Sequence, residues 1–189
     1  MYNLKELSEE IKHCRRCKLW RTRKNPVPGS GNPKADIMLI GEAPGRNEDI
    51  EGKPFVGEAG KILDQLLSSI NLNREQVYIA NILKCRPPGN RDPSREEIDA
   101  CTPFLDRQIE LIKPRIIVTL GNFATRYILE KFNLKAESIG KIHGSIFNFK
   151  DRNLKIVPVY HPASALYNPK IKKIMLDDFE VIGELIEGI

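Results

Sequence analysis

Four short runs of apolar and β-branched residues constrain the fold more than any other feature: "ADIMLI" (35–40), "QVYIANIL" (76–83), "RIIVTL" (115–120) and "KIVPVY" (155–160). Each is continuously apolar rather than alternating. That is the pattern of strands buried on both faces of a parallel sheet. Helical patterns lie between them. Ile62, Leu63, Leu66, Leu67 and Ile70 share one helix face, and Ser94 with Glu97 forms a capping box. Ile98, Cys101, Leu105, Ile109 and Ile112 continue that helix until Pro114, with a kink or broken start expected at Pro103. Phe123, Ala124, Tyr127 and Ile128 mark a third helix, and Ile171, Ile174, Met175, Phe179, Ile182 and Leu185 a C-terminal one. Alternating strands and helices predict an α/β fold, a parallel sheet covered by helices on both faces.

Such sheets bind ligands outside the carboxyl ends of their strands. The first run leads into "GEAPG", the second into Asn81 and then Cys85, the third into Gly121-Asn122 and the fourth into His161-Pro162. A glycine-rich turn, an amide and an imidazole are therefore expected on one rim.

At 189 residues the chain suits one domain, 1–189. Its longest apolar runs fall far short of the roughly 18 residues of a membrane helix. The amphipathic start, "MYNLKELSEEIKHC", carries acids and is neither a secretory signal nor a transit peptide. The expectation is a cytoplasmic protein with no membrane partner. A net charge of +5 suits a polyanionic partner such as nucleic acid, or simply a solvated charged surface.

Four cysteines, Cys14, Cys17, Cys85 and Cys101, include one C-x-x-C pair. In a reducing compartment they are better read as thiolate ligands than as disulfides. Four thiolates make one complete set for zinc or an iron–sulfur cluster; the alternative is two buried thiols beside an incidental C-x-x-C. His13, next to Cys14, resembles a further ligand, and His143 is expected in a surface loop.

The stretch "IGEAPGRNEDIEGKPFVGEAG" (40–60) holds five glycines and invites a phosphate-binding reading. It fails on spacing. Six residues separate Gly45 from Gly52-Lys53, and Pro54 stands where a phosphate loop needs serine or threonine. No G-x-G is present for a dinucleotide. Glu42, Glu48, Asp49 and Glu51 also oppose a triphosphate. Glycines still let a backbone approach a flat ligand, and Phe55 offers an aromatic face or is a plain core residue. Asn81 is a satisfied buried amide or a reader of a heterocycle edge.

Together, "CRRCKLW" (14–20), "GEAPGRNEDIEGKPFVGEAG" (41–60), "YIANILKCRPPGNRDP" (78–93), "CTPFL" (101–105) and "HPASAL" (161–166) resemble the family 4, thermophile-type iron–sulfur uracil-DNA glycosylases over nearly the whole chain. The resemblance implies a three-layer α/β/α domain with a central four-stranded parallel sheet. It implies a structural [4Fe-4S] cluster on Cys14, Cys17, Cys85 and Cys101, tying 14–17 to 85–101. It implies a monofunctional enzyme of base-excision repair that flips uracil out of DNA and hydrolyses its glycosidic bond. Gly41, Glu42 and Ala43 would line the uracil pocket, Phe55 stack on the base, Asn81 pair with O4 and N3, and His161 donate toward O2. Ala43 stands where the best-known branch of the superfamily has a water-activating aspartate, so Glu42, Glu48 and Asp49 are the candidate bases. Leu166 is the candidate wedge into the emptied stack, and Lys84, Arg86 and Arg91 are candidate phosphate contacts. The partner is uracil-containing DNA and the protein is expected to act as a monomer; a sliding-clamp contact is left open. The competing readings are a non-catalytic zinc or iron–sulfur nucleic-acid-binding module and a redox protein.

Overall fold

The computed structural model describes residues 3–188; Met1, Tyr2 and Ile189, at the ends of the expected domain, lie outside the described residues. The elements run α1 (Leu4–Lys12), β1 (Ser30–Gly31), β2 (Ile37–Gly41), α2 (Arg46–Glu51), α3 (Glu58–Ser69), β3 (Tyr78–Asn81), α4 (Arg95–Ile112), β4 (Ile116–Leu120), α5 (Asn122–Lys131), α6 (Ile139–Ile142), β5 (Phe147–Phe149), β6 (Leu154–Val159) and α7 (Pro169–Glu187).

The sheet has six strands in the order β1-β3-β2-β4-β6-β5. It is mixed, so the expected four-stranded parallel sheet is not the whole of it. β3, β2, β4 and β6 run parallel, and β1 and β5 add to the two edges antiparallel. The four apolar runs supply the parallel strands. The edge strands are two and three residues long, too short for any periodicity to announce them.

Alternation along each strand divides the core in two. Leu39, Ile79, Val118 and Val157 pack with Leu63, Leu66 and Leu67 of α3 and Met175, Phe179 and Ile182 of α7. Met38, Ile40, Ile117 and Ile156 pack with Leu105, Ile109 and Ile112 of α4 and Ala124, Ile128 and Leu129 of α5. Helices thus cover both faces. Truncating one of these side chains, for instance Leu66→Ala, is expected to cost about 2–5 kcal/mol.

The expected capping box forms: the Ser94 hydroxyl accepts from the Glu97 amide and Glu97 Oε2 accepts from the Ser94 amide. α4 is continuous through Pro103, so no broken start occurs there. It ends where Lys113 turns left-handed (φ 54°) ahead of Pro114. A third apolar cluster joins Leu7 and Ile11 of α1 to Leu83, Cys85, Cys101 and Phe104. The first helix is thereby docked beside the carboxyl end of β3. No helix among the described residues is long and apolar enough to cross a membrane.

Candidate active site

The carboxyl ends of β2, β3 and β6 open onto one cavity of about 490 Å³. Glu42, Ala43, Pro44, Gly45 and Glu48 line it from the loop after β2, Phe55 from the next loop, Asn81 from β3, and His161 and Leu166 from the turn after β6. The rim expected from strand polarity is therefore present. Asn122 departs from it, since its side chain accepts from the Ile139 amide at 2.9 Å and anchors α6.

Asn81 is 2 % exposed, and its Oδ1 has no hydrogen-bond partner. A buried amide oxygen without a partner costs on the order of 1–3 kcal/mol. An uncompensated group lining a cavity marks a place kept for a ligand donor. Gly41 makes the approach possible. A Cβ there would collide with Asn81 Oδ1 and lie 2.8 Å from the Phe55 ring. Gly41 is thus fixed by packing and not by phosphate binding.

Phe55 is buried but adopts φ 52°, a left-handed backbone that bulky residues avoid. Such strain costs on the order of 1–3 kcal/mol and is held by its surroundings. Val56 and Gly57 donate their amides to Glu48 Oε1 at 3.1 and 3.2 Å. On the other side, Arg74 Nη1 donates to the Pro54 carbonyl at 3.0 Å and Nη2 to the carbonyls of Phe55 and Gly60. The Phe55 ring faces that of His161, with centroids 5.6 Å apart and planes 29° apart.

His161 Nδ1 accepts from the Ala163 amide at 3.1 Å. The neutral ring must then carry its proton on Nε2. Burial depresses its pKa to about 4, with Glu48 acting weakly the other way. Across the neutral pH range the cavity therefore holds an uncharged imidazole with one N–H to donate.

The three candidate bases separate. Glu42 lines the cavity, and its pKa is raised, first by burial and then by Asp92. Glu48 lines it too, but one of its oxygens is committed to the two loop amides. Asp49 is turned away: buried, it accepts from the Lys24 and Asn25 amides at 2.8 and 3.3 Å, fastening α2 to the preceding segment.

Lys84 is the clearest departure from expectation. It is 1 % exposed, and its ammonium donates to the Asn81 carbonyl at 2.9 Å and to Gln108 Oε1 at 2.6 Å. Burial pulls its pKa down to about 8. It has no surface to offer a phosphate. Arg86 remains partly exposed and donates to Asn90 Oδ1 at 2.7 Å. Arg91 lines the cavity while paired with Glu97 at 2.6 and 2.9 Å. Leu166 is partly buried against the core, whereas its neighbour Tyr167 is 94 % exposed. His143 sits in the turn after α6, as expected of a loop residue, but it is held there: it pairs with Asp178 at 3.0 Å and its ring lies tilted against that of Tyr160. His13 bonds through Nδ1 to the Glu9 carbonyl at 2.9 Å, closing α1.

All four cysteines line one crevice with Arg16, Trp20, Arg23 and Phe104. Arg23 Nη1 donates to Cys85 Sγ at 3.0 Å, the Lys84 amide to Cys101 Sγ at 3.2 Å and the Arg16 amide to Cys14 Sγ at 3.5 Å. Donors aimed at sulfur are what thiolates need. Burial pushes the Cys101 thiol up to about 12 and raises Cys85 and Cys17, so their thiolates require a cation to hold them. Among the described residues, no three His, Cys, Asp or Glu side chains form a ready single-ion site.

The chain is 55 % identical to the type-4 uracil-DNA glycosylase of Saccharolobus solfataricus, covering 100 % of this chain and 88 % of that one. It is 48 % identical to that of Archaeoglobus fulgidus (98 % and 94 % covered) and 42 % identical to that of Thermotoga maritima (99 % and 98 %). A sequence profile of one family matches residues 28–180, the span that carries every cavity-lining residue described above, and by that match the chain belongs to the uracil DNA glycosylase superfamily.

Proposed function

We propose that the protein is a monofunctional uracil-DNA glycosylase, acting as a monomer of one domain on uracil-containing DNA and leaving an abasic site. The observation that carries this reading is the unpartnered Asn81 Oδ1 inside the cavity. A carboxamide can accept from uracil N3–H and donate to O4. Cytosine presents the opposite pattern, and mispairing a buried amide discriminates by roughly 10⁴-fold or more. A non-catalytic binding module would have no use for the unmet oxygen.

The base must leave the duplex to reach this depth, at a cost of a few kcal/mol. Phe55 takes one face of the extruded ring, while Gly41, Glu42 and Ala43 border it. As the glycosidic bond breaks, its electron pair moves to the uracil and charge grows on O2. The His161 Nε2–H donates to that oxygen. Its donation strengthens as charge develops, and one such donor is typically worth about 3–4 kcal/mol in the transition state. Because the imidazole is neutral, it stabilises the anion without surrendering a full proton. Glu42 accepts the proton of the attacking water. Its raised pKa makes it a better base than an ordinary carboxylate. Glu48 braces the Phe55 loop, and Asp49 serves the fold. Arg86 meets phosphate. Of the turn after β6, Tyr167 is better exposed than Leu166 to fill the gap in the stack.

Cys14, Cys17, Cys85 and Cys101 would hold a [4Fe-4S] cluster. Their common crevice and sulfur-directed N–H groups suit thiolate ligation, and four thiolates make the complete ligand set of such a cluster. When bound, the group supplies a cross-link between the segment after α1 and the β3–α4 region; no step of the hydrolysis draws on it.

The test is excision. Purified protein is incubated with end-labelled duplex carrying one uracil opposite guanine, then treated with alkali. Cleavage with uracil and none with thymine or cytosine is the expected result. No cleavage by protein that retains visible cluster absorbance removes the proposal.

A further inference from the structure

We infer that Arg74 is a positioning residue for the reaction: its guanidinium holds the left-handed backbone at Phe55 that puts the aromatic ring into the cavity. The inference rests on the proposed role of Phe55 against the extruded base. Arg74 lies in the turn between α3 and β3 and lines no part of the cavity. It reaches back about twenty residues in sequence and donates to three carbonyls, those of Pro54, Phe55 and Gly60. Nε is meanwhile fixed by Asp64 Oδ1 at 2.6 Å. The turn is pinned in its own right, with the Asn73 amide donating to Gln76 Oε1 at 3.0 Å and the Glu75 amide to Asn73 Oδ1 at 2.9 Å.

The geometry requires a fork. A phenylalanine at φ 52° turns its carbonyl and the preceding one out of any ladder, and both must be satisfied. Five N–H donors in a plane can serve several carbonyls at once; a lysine ammonium serves them less rigidly. Gly60 completes the clamp, because a Cβ there would overlap the Phe55 carbonyl. Glu48 holds the following two amides from the opposite side. Phe55 is thus clamped between an acid and a base, one facing the cavity and the other hidden behind the loop.

Two measurements test this. The first needs no substrate. Phe55 lies against His161, so its ring current shifts the His161 ring protons, which can be assigned in a chain with three histidines. Arg74→Met is expected to move those resonances toward their positions in Phe55→Ala; wild-type positions in Arg74→Met would overturn the inference. The second is an excision cycle. Arg74→Met is expected to lower kcat/KM about ten-fold, and the double variant to be no worse than Phe55→Ala alone, since residues acting as one unit are non-additive. A double variant whose loss is the product of the two single losses would mean that Arg74 acts elsewhere, and would also overturn it. Arg74→Lys, expected to fall between wild type and Arg74→Met, takes the place of the methionine variant if that one does not fold. If the wild-type protein releases no uracil, the glycosylase reading falls, and the resonance comparison still decides whether Arg74 sets Phe55.

Discussion

The cavity at the strand ends and the cysteine corner are separated by three residues of chain, Ile82 to Lys84, yet they treat their polar atoms in opposite ways. At the corner, sulfurs of Cys14, Cys85 and Cys101 each receive an N–H. In the cavity, Asn81 Oδ1 receives none, and the His161 Nε2–H points its donor capacity outward from an otherwise satisfied ring. A region whose sulfurs already receive donors from the chain is set up to hold one fixed group in place. A region with one acceptor and one donor left over is set up to receive something. Lys84 joins the two: its amide serves Cys101 and its ammonium serves the Asn81 carbonyl.

The sharpest way to break this contrast is to remove the cavity's donor. His161→Ala is expected to lower kcat about 10²–10³-fold with little change in melting temperature, the size of effect typical of one lost oxyanion donor. A comparable fall in stability would mean that His161 belongs with the corner. The reverse experiment is Cys101→Ser. It should bleach the visible absorbance and lower the melting point by roughly 10 °C, as a loss of about 3 kcal/mol would. Activity should then follow the folded fraction. An undiminished melting point would make the corner ornamental to stability.

A smaller effect is expected at the rim. Tyr167→Ala should reduce excision from duplex about 5–50-fold while leaving single-stranded substrate nearly untouched, because only the duplex needs its gap filled. Equal losses on both substrates would assign the ring to base binding. The pH profile sharpens the contrast further. Glu42 must be ionised to accept a proton, and its raised pKa predicts an acid limb in kcat/KM above the ordinary glutamate value of about 4.3. His161 loses its neutral form only near its depressed pKa of about 4, so it should contribute no step near 6.5. A step there that persists in Glu42→Gln would mean that the imidazole titrates freely. The least effect concerns DNA affinity. Arg86→Ala should lower the salt dependence of binding by about one ion, whereas Lys84→Met should leave it unchanged and cost about 1–3 kcal/mol of stability through the unpaired Gln108.

Much of this was legible in the sequence, for physical reasons that also mark the boundary. The four apolar runs announce buried parallel strands because their burial is continuous. Strand polarity then brings Asn81 and His161 to one rim without knowledge of any contact. The short edges β1 and β5 have no period to detect. Lys84 sits in a basic stretch with Arg86, and chain order cannot say which of two neighbouring cations turns inward; that depends on Gln108, 24 residues later. Glu48 and Asp49 are adjacent on α2 and so face different ways, one toward the cavity and one toward Asn25. Arg74 was invisible because its work is done on carbonyls, which every residue carries. Pro103 lies inside a continuous α4, so the broken start that a proline suggests did not form there.

The unmet oxygen of Asn81 has a consequence for anyone selecting variants of this protein. An apolar or self-satisfied side chain at that position would relieve a buried polar atom, so a screen that rewards heat tolerance alone should drift away from asparagine there. Selection for survival of the fold and selection for recognition of a base pull in opposite directions at this one residue. The amide is therefore a place where heat-selected libraries and activity-selected libraries should diverge first.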